Sequence, residues 1–120
     1  MKLHSNEGKN DTVRKKHPTE EACPEQCTEF LKIIAQMYNL HLSKNQDYSP
    51  QNIKAVGENG LATRIWDKTA RLLNLIGFNI ENGTYSRPKE PNNESIDDTL
   101  LDLSTYAIIW LIYKQGKWGK

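Results

Sequence analysis

An all-α fold, an antiparallel helical bundle, is expected from three features of this 120-residue chain. Apolar residues recur at three- and four-residue spacing over long stretches, alternating runs of β-formers are nearly absent, and Gly, Pro and Asn gather at a few points that cut the periodic stretches apart. The length suits one compact domain with a modest core. The expected division is a flexible N-terminal arm over residues 1–20 and a single helical domain over residues 21–120.

The arm is polar and aperiodic, and its basic triplet Arg14-Lys15-Lys16 is offset by Glu20 and Glu21, as in a solvated tail. From Pro24 the pattern is helical: Phe30, Ile33, Ile34, Met37 and His41 share one face, widened by Leu31 and Tyr38. This helix is expected to end near Asn45, because Gln46 to Pro50 are turn formers and Pro50 restricts the residue before it. Ser49-Pro50 then reads as N-cap and first position of a short helix over residues 50–56, closed by Gly57. The next helix, LATRIWDKTARLLNLIGF, carries an apolar stripe (Leu61, Ile65, Thr69, Leu72, Ile76) and a charged one (Arg64, Asp67, Lys68, Arg71). Residues 77–93 form a long connection; Ile80 to Tyr85 suit a small hairpin about Asn82-Gly83, with a plain surface loop as the alternative. The last helix is expected from Glu94 to about Gln115, with Gly116 as its C-cap and Trp118 folded back onto it. No charge interrupts Tyr106 to Tyr113, so that half-helix needs cover from sister helices or a second subunit.

Composition narrows the function classes. With 16 Lys plus Arg against 15 Asp plus Glu, general or sequence-specific capture of nucleic acid is not expected. Cys23 and Cys27, four apart near a helix start, are expected to be free thiols. No signal peptide is expected, and the seven-residue run Ala107 to Tyr113 is too short to span a bilayer, so the expected setting is cytoplasmic, without membrane association.

The densest chemistry lies in residues 94 to 102, which hold Glu94, Asp97, Asp98 and Asp102. In helical register Glu94, Asp98 and Asp102 turn by about 40° per step and share one side. Such a row repels itself unless cations compensate, and Mg²⁺ shared with phosphate oxygens is one compensation. A structural explanation also exists: Ser95-x-x-Asp98 fits a capping box, and acids suit the positive end of a helix dipole. Asp102 lies two turns in, between Leu101 and Leu103, beyond the reach of either effect. The Arg64/Asp67/Lys68/Arg71 stripe is either an exposed row of ion pairs or a set of phosphate-neutralising cations with Asp67 as a further metal ligand. In HLSKNQDYSPQN, Lys44, Asn45, Asp47 and Tyr48 offer a cation, an amide, an acid and a ring, which suit either a nucleotide or a hydrogen-bonded turn. His41 reads as a core or rim histidine.

Three segments carry a family resemblance: K-N-x-D-Y from Lys44, G-x-x-G-L-x-x-R-I-x-D-K-x-x-R-L from Gly57, and E-S-I-x-D-T-L-x-D-L-x-x-Y-A-I from Glu94. Over residues 28 to 118 the chain resembles the nucleotide-modification-associated domain family of phages and bacteria, itself distantly similar to the all-α, MazG-like nucleoside triphosphate pyrophosphohydrolases. The resemblance implies a MazG-like bundle that assembles as a dimer or tetramer and uses Mg²⁺ to cleave a nucleoside triphosphate (dNTP or NTP) between its α and β phosphates. In those enzymes one helix brings E-x-x-E and another E-x-x-D. Here Glu94 with Asp98 stands for the second pair, Asp97 being the alternative, while no E-x-x-E occurs in residues 28 to 76. The resulting assignment has Glu94, Asp98 and Asp102 catalytic and metal-binding, Asp67 as a fourth ligand, and Lys44, Asn45, Asp47, Tyr48, Arg64, Lys68 and Arg71 around the substrate. The alternative is a non-catalytic nucleotide-binding or interaction bundle in which the charged rows are interhelical salt bridges.

Overall fold

The computed structural model describes residues 14–92 and 94–120. It is an all-α bundle with a small antiparallel hairpin, in the order α1 (Pro18–Ala22), α2 (Pro24–Tyr48), α3 (Gln51–Leu75), β1 (Phe78–Asn79), β2 (Thr84–Tyr85) and α4 (Ile96–Lys114). The chain falls into two compact units, residues 1–36 and 37–120, and α2 runs through both. Most of the expected arm, residues 1–13, lies outside the described residues.

In the first unit the arm gives way to structure at His17, earlier than the sequence suggests. His17 Nδ1 accepts from the Thr19 N–H at 3.1 Å and Glu20 Oε1 accepts from the His17 N–H at 2.7 Å, a reciprocal cap that starts α1 at Pro18. Arg14 bonds Glu20 at 2.7 Å. Cys23 and Cys27 are free. No residue of α1 or α2 is fully buried, and Phe30, Leu31, Ile33 and Ile34 stand largely in the open.

The second unit holds the core: Ile53, Leu61, Ile109 and Trp118, with Tyr106, Trp110, Ile112 and Tyr113 packed against them. α2 continues to Tyr48, three residues past its expected end, because the break falls at Ser49, whose φ of 61° is left-handed. α3 begins at Gln51 with the Ser49 hydroxyl accepting the Gln51 N–H at 3.3 Å. Its interior is broken at Gly57 (φ 62°, ψ −155°), where the sequence expects a short helix to close. The hairpin strands pair Phe78 with Tyr85 and Asn79 with Thr84, so the first strand lies before Ile80 and residues 80–83 form the turn. The Gly83 N–H donates to the Asn79 carbonyl at 2.8 Å, and Asn79 Oδ1 accepts from the N–H groups of Glu81 and Asn82.

α4 starts at Ile96, two residues later than expected, with Ser95 as N-cap: its Oγ accepts the Asp98 N–H at 3.1 Å. At the other end the Gly116 N–H bonds the Tyr113 carbonyl and the Lys117 N–H bonds the Ile112 carbonyl, the paired bonds of a glycine-terminated helix. That reversal returns Trp118 to the core, where its Nε1 donates to the Pro50 carbonyl at 3.0 Å and its ring lies 5.7 Å from that of His41. Among the described residues no helix is long and apolar enough to cross a membrane.

Candidate functional site

The charged stripe of α3 faces α4. Arg64, Lys68 and Arg71, spaced four and three apart, come off one side of the helix, and each finds a different partner. The Arg64 guanidinium lies 5.9 Å from the centre of the Tyr106 ring, within cation–π range. Lys68 Nζ is 3.0 Å from Asp102 Oδ2 and 3.2 Å and 3.4 Å from the two Glu94 oxygens. Arg71 donates to the Thr99 hydroxyl and to the Glu94 carbonyl.

Asp102 is the centre of this arrangement. It is 9% exposed, and its second oxygen accepts from Lys44 Nζ of α2 at 2.9 Å. One buried carboxylate therefore joins α2, α3 and α4. Burial pushes its pKa up, but the hydrogen bonds from Lys44 and Lys68 outweigh that and hold it below the usual carboxylate range. For Lys68 burial likewise favours the neutral form, and the bonds to Asp102 and Glu94 override it, so its pKa is raised.

Glu94 arrives by another route. It precedes the N-cap, so its carboxylate is not part of the helical row; it is carried inward by the chain entering α4 and held there by Lys68 and by the fully buried Thr99, whose hydroxyl donates to Oε1 at 2.8 Å. The helical wheel aligns Glu94, Asp98 and Asp102; the structure brings Glu94 and Asp102 onto one lysine by this other route and leaves Asp98 exposed.

These groups line one side of an open cavity of about 410 Å³. Of the residues expected at the site, Lys44, Asn45, Tyr48, Arg64, Lys68, Glu94 and Asp102 border it. Arg71 stands behind, tying the α4 entry to α3, and Asp47, Asp67 and Asp98 are exposed and do not border the cavity. The row Glu94, Asp98, Asp102 with Asp67 is thus not gathered into one ligand shell, and among the described residues no group of three or more His, Cys, Asp or Glu is placed to hold a metal.

Sequence reasoning missed four contributors. Asn52 borders the cavity from the first turn of α3; nothing in its local pattern marks it. Trp118 and His41 also line it, with their rings 5.7 Å apart, the first brought there by the Gly116 reversal. Thr99 sits inside the quoted D-T-L segment, and its position between two acids was the available signal.

The cavity is chemically mixed. Its lining combines three cations and two carboxylates with aromatic rings and two side-chain amides, Asn45 and Asn52, that have no hydrogen-bond partner among the described residues. A mixed lining of this kind, at a volume within the ordinary range for small-molecule sites, suits a ligand that carries both anionic and flat polar groups. The chain matches no protein-family model, no curated protein and no solved structure.

Proposed function

We propose that this cavity binds a nucleoside triphosphate and that the protein is a Mg²⁺-dependent nucleoside triphosphate pyrophosphohydrolase, or a close relative in nucleotide metabolism, on a MazG-like bundle in the cytoplasm. The observation that carries the proposal is the convergence of Lys44 and Lys68, from two helices, on the buried Asp102 at the edge of an open cavity. Burying a carboxylate costs several kcal/mol unless it is compensated, and a solvent-facing ion pair elsewhere would join the helices as well. Placing it where a ligand enters supports a role beyond packing.

In this scheme Lys44, Lys68 and Arg64 neutralise the phosphate chain, while Asn45, Asn52 and Tyr48 meet the sugar and base near the His41–Trp118 pair. Glu94 and Asp102 fit a Mg²⁺ ion of the kind that takes one or two carboxylates and completes its shell with waters and phosphate oxygens. Bound there, the ion would supply Lewis acidity and a more acidic water. The reaction is attack of a water oxygen on the α phosphorus, with cleavage of the α–β bridging bond and departure of pyrophosphate. Lys44 and Lys68 stabilise the charge on the departing group, and Arg71 fixes the backbone from which Glu94 hangs.

The test is incubation of the protein with a panel of dNTPs and NTPs and Mg²⁺, followed by separation of products. Monophosphate with pyrophosphate is expected; no product and no binding from any nucleotide overturns the proposal. Binding without turnover favours the second reading, a non-catalytic nucleotide-binding bundle. The observation on that side is that both cavity carboxylates already hold lysines while Asp67 and Asp98 stay outside.

A homo-oligomer, dimer or tetramer, is part of the same proposal. Phe30, Leu31, Ile33 and Ile34 on α2 are 42% to 66% exposed. A standard interface takes about 800 Å² from each partner, and this open apolar run would form part of one. Self-association with a second copy is expected in sedimentation at micromolar concentration and is expected to be lost in Phe30→Glu/Ile34→Glu. A monomeric wild type removes the proposed interface.

A further inference from the structure

We infer that Lys68 is an exchangeable plug: it occupies the two cavity carboxylates until the phosphate chain of a ligand draws it away, so that divalent cation and phosphate bind with strong positive coupling and the cation alone binds poorly. This rests on the nucleotide-binding function proposed above.

Lys68 offers three donors from one ammonium, and all three acceptors recorded for it are carboxylate oxygens: both of Glu94, at 3.2 and 3.4 Å, and Oδ2 of Asp102, at 3.0 Å. Lys44 takes the remaining Asp102 oxygen at 2.9 Å. Thr99 donates to one of the Glu94 oxygens as well. Every oxygen of the pair is therefore engaged by a donor, and all four are reached by an ammonium.

A hard cation needs those oxygens at about 2.0 to 2.1 Å in the case of Mg²⁺. It cannot share them with an ammonium at 3 Å without bringing two positive charges together in a site only partly open to water. The ammonium has to leave first. Lysine can do so where arginine would resist, because its charge is a compact head on a flexible four-carbon stem rather than a planar fork. Lys44 is already half exposed at its side chain and Lys68 about one-quarter exposed, so both have a path into the cavity. Arg64 stays over the Tyr106 ring and keeps a fixed positive charge at the rim, the first attraction for a phosphate.

A phosphate chain entering the cavity offers the lysines acceptors of higher charge than the carboxylates. When they turn to it, Glu94 and Asp102 are left without their cations and become ligands for a metal that the same phosphates also coordinate. The exchange conserves the number of charge pairs and needs no rearrangement of the helices. Because binding coupling is reciprocal, the metal raises phosphate affinity by the same factor by which phosphate raises metal affinity.

Removing the plug has an unusual consequence: deleting a positive charge should tighten intrinsic metal binding and loosen phosphate binding. The test measures Mn²⁺ alone, by the electron-spin signal of the free ion, on wild type, Lys68→Met and Lys68→Arg, and compares calorimetric binding of inorganic triphosphate with and without one equivalent of Mn²⁺. Wild type is expected to bind Mn²⁺ weakly and to take Mn²⁺-triphosphate at least about fivefold more tightly than metal-free triphosphate, within the usual range of coupling. Lys68→Met is expected to bind Mn²⁺ alone at least about fivefold more tightly than wild type and triphosphate less tightly. Lys68→Arg, which keeps the charge, should stay at the wild-type level or below for Mn²⁺. If Lys68→Met does not fold, Lys68→Gln, which keeps a polar head but removes the ammonium, carries the same expectation. Equal Mn²⁺ affinity in wild type and the folded Met or Gln variant overturns the plug while leaving triphosphate binding untouched. Failure of wild type to bind triphosphate in either form sinks the nucleotide function and the plug together.

Discussion

Asp98 and Asp102 lie one turn apart on α4, about 6 Å along the axis and about 40° around it; Asp98 is exposed, and Asp102 is buried between two lysines. The difference is height rather than direction. A helical wheel reports where a side chain points around the axis, but not whether a neighbouring helix stands at that level. At the level of Asp102, α2 and α3 both present a lysine. At the level of Asp98 the helix is only starting, and the residue's recorded contact is its backbone N–H on the Ser95 hydroxyl. The two acids thus part company: Asp102 is compensated by lysines of two neighbouring helices, whereas Asp98 gives only its N–H to the Ser95 cap and leaves its charge at the positive end of the helix.

The sharpest way to break this comparison is Asp102→Asn. The amide keeps the shape and removes the charge, leaving Lys44 and Lys68 facing a neutral group. Stability is expected to fall by about 2 to 3 kcal/mol, short of the full cost of breaking a buried pair because Lys44 can hydrate, as read from denaturant midpoints at neutral pH. The proposed triphosphate turnover is expected to fall on the order of 100-fold, the scale for losing an electrostatic group at a reacting phosphate. The pH dependence follows from the direction of the shifts. Asp102 has a depressed folded pKa, so its contribution is fully present above the ordinary carboxylate value of about 4 and disappears as pH falls through the lower folded value. Lys68 has a raised one, so its contribution is fully present below about 10.4 and disappears as pH rises beyond that. The stability gap between wild type and Asp102→Asn should therefore be flat around neutrality and close in acid. A gap that persists unchanged at the acid end would mean that Asp102 acts through packing alone.

How much of this was legible beforehand depends on whether a residue's role is set by its own helix. The break at Gly57 and the cap at Gly116 follow from backbone chemistry confined to a few residues, and the structure has them; of the Arg64/Asp67/Lys68/Arg71 stripe, the three cations meet partners on or entering α4 while Asp67 stays exposed. Asp102 was singled out because capping and dipole effects lapse two turns into a helix, and its burial agrees. Asn52 and Trp118 reach the cavity only through the α2–α3 turn and the reversal after α4, which no local periodicity encodes. The start of α1 was hidden for a different reason. Its cap is a histidine ring nitrogen, a role usually taken by Ser, Thr, Asp or Asn.

Arg71→Met gives a smaller effect and sharpens the role of the α4 entry. Arg71 leaves the cavity to the other cations and instead holds the Thr99 hydroxyl and the Glu94 carbonyl. Its loss is expected to cost about 2 kcal/mol, the scale for a charged hydrogen-bond donor leaving buried acceptors. Metal-dependent turnover should decline through a misplaced Glu94 while Asp102 keeps its lysines. A turnover loss as large as that of Asp102→Asn, without loss of stability, would instead bring Arg71 into contact with the phosphate.

The smallest effect is expected from Asp98→Asn, and it bears most directly on the contrast between the two turns. The bond from its N–H to Ser95 Oγ is a backbone contact and survives the substitution. What disappears is one negative charge in the first turn, where the helix dipole favours anions by about 0.3 to 1 kcal/mol at low salt. An exposed charge is screened, so the cost should be near the lower end and shrink as salt is raised. Turnover should stay within about twofold of wild type, because a group outside the cavity can alter the reacting phosphate only through a screened, long-range field. Parallel denaturation and product assays on Asp98→Asn and Asp102→Asn put both turns on one scale. Equal turnover losses in the two variants would mean that the first turn closes onto the ligand when it binds, and the division of labour along α4 would have to be redrawn with Asp98 as a third acid at the phosphates.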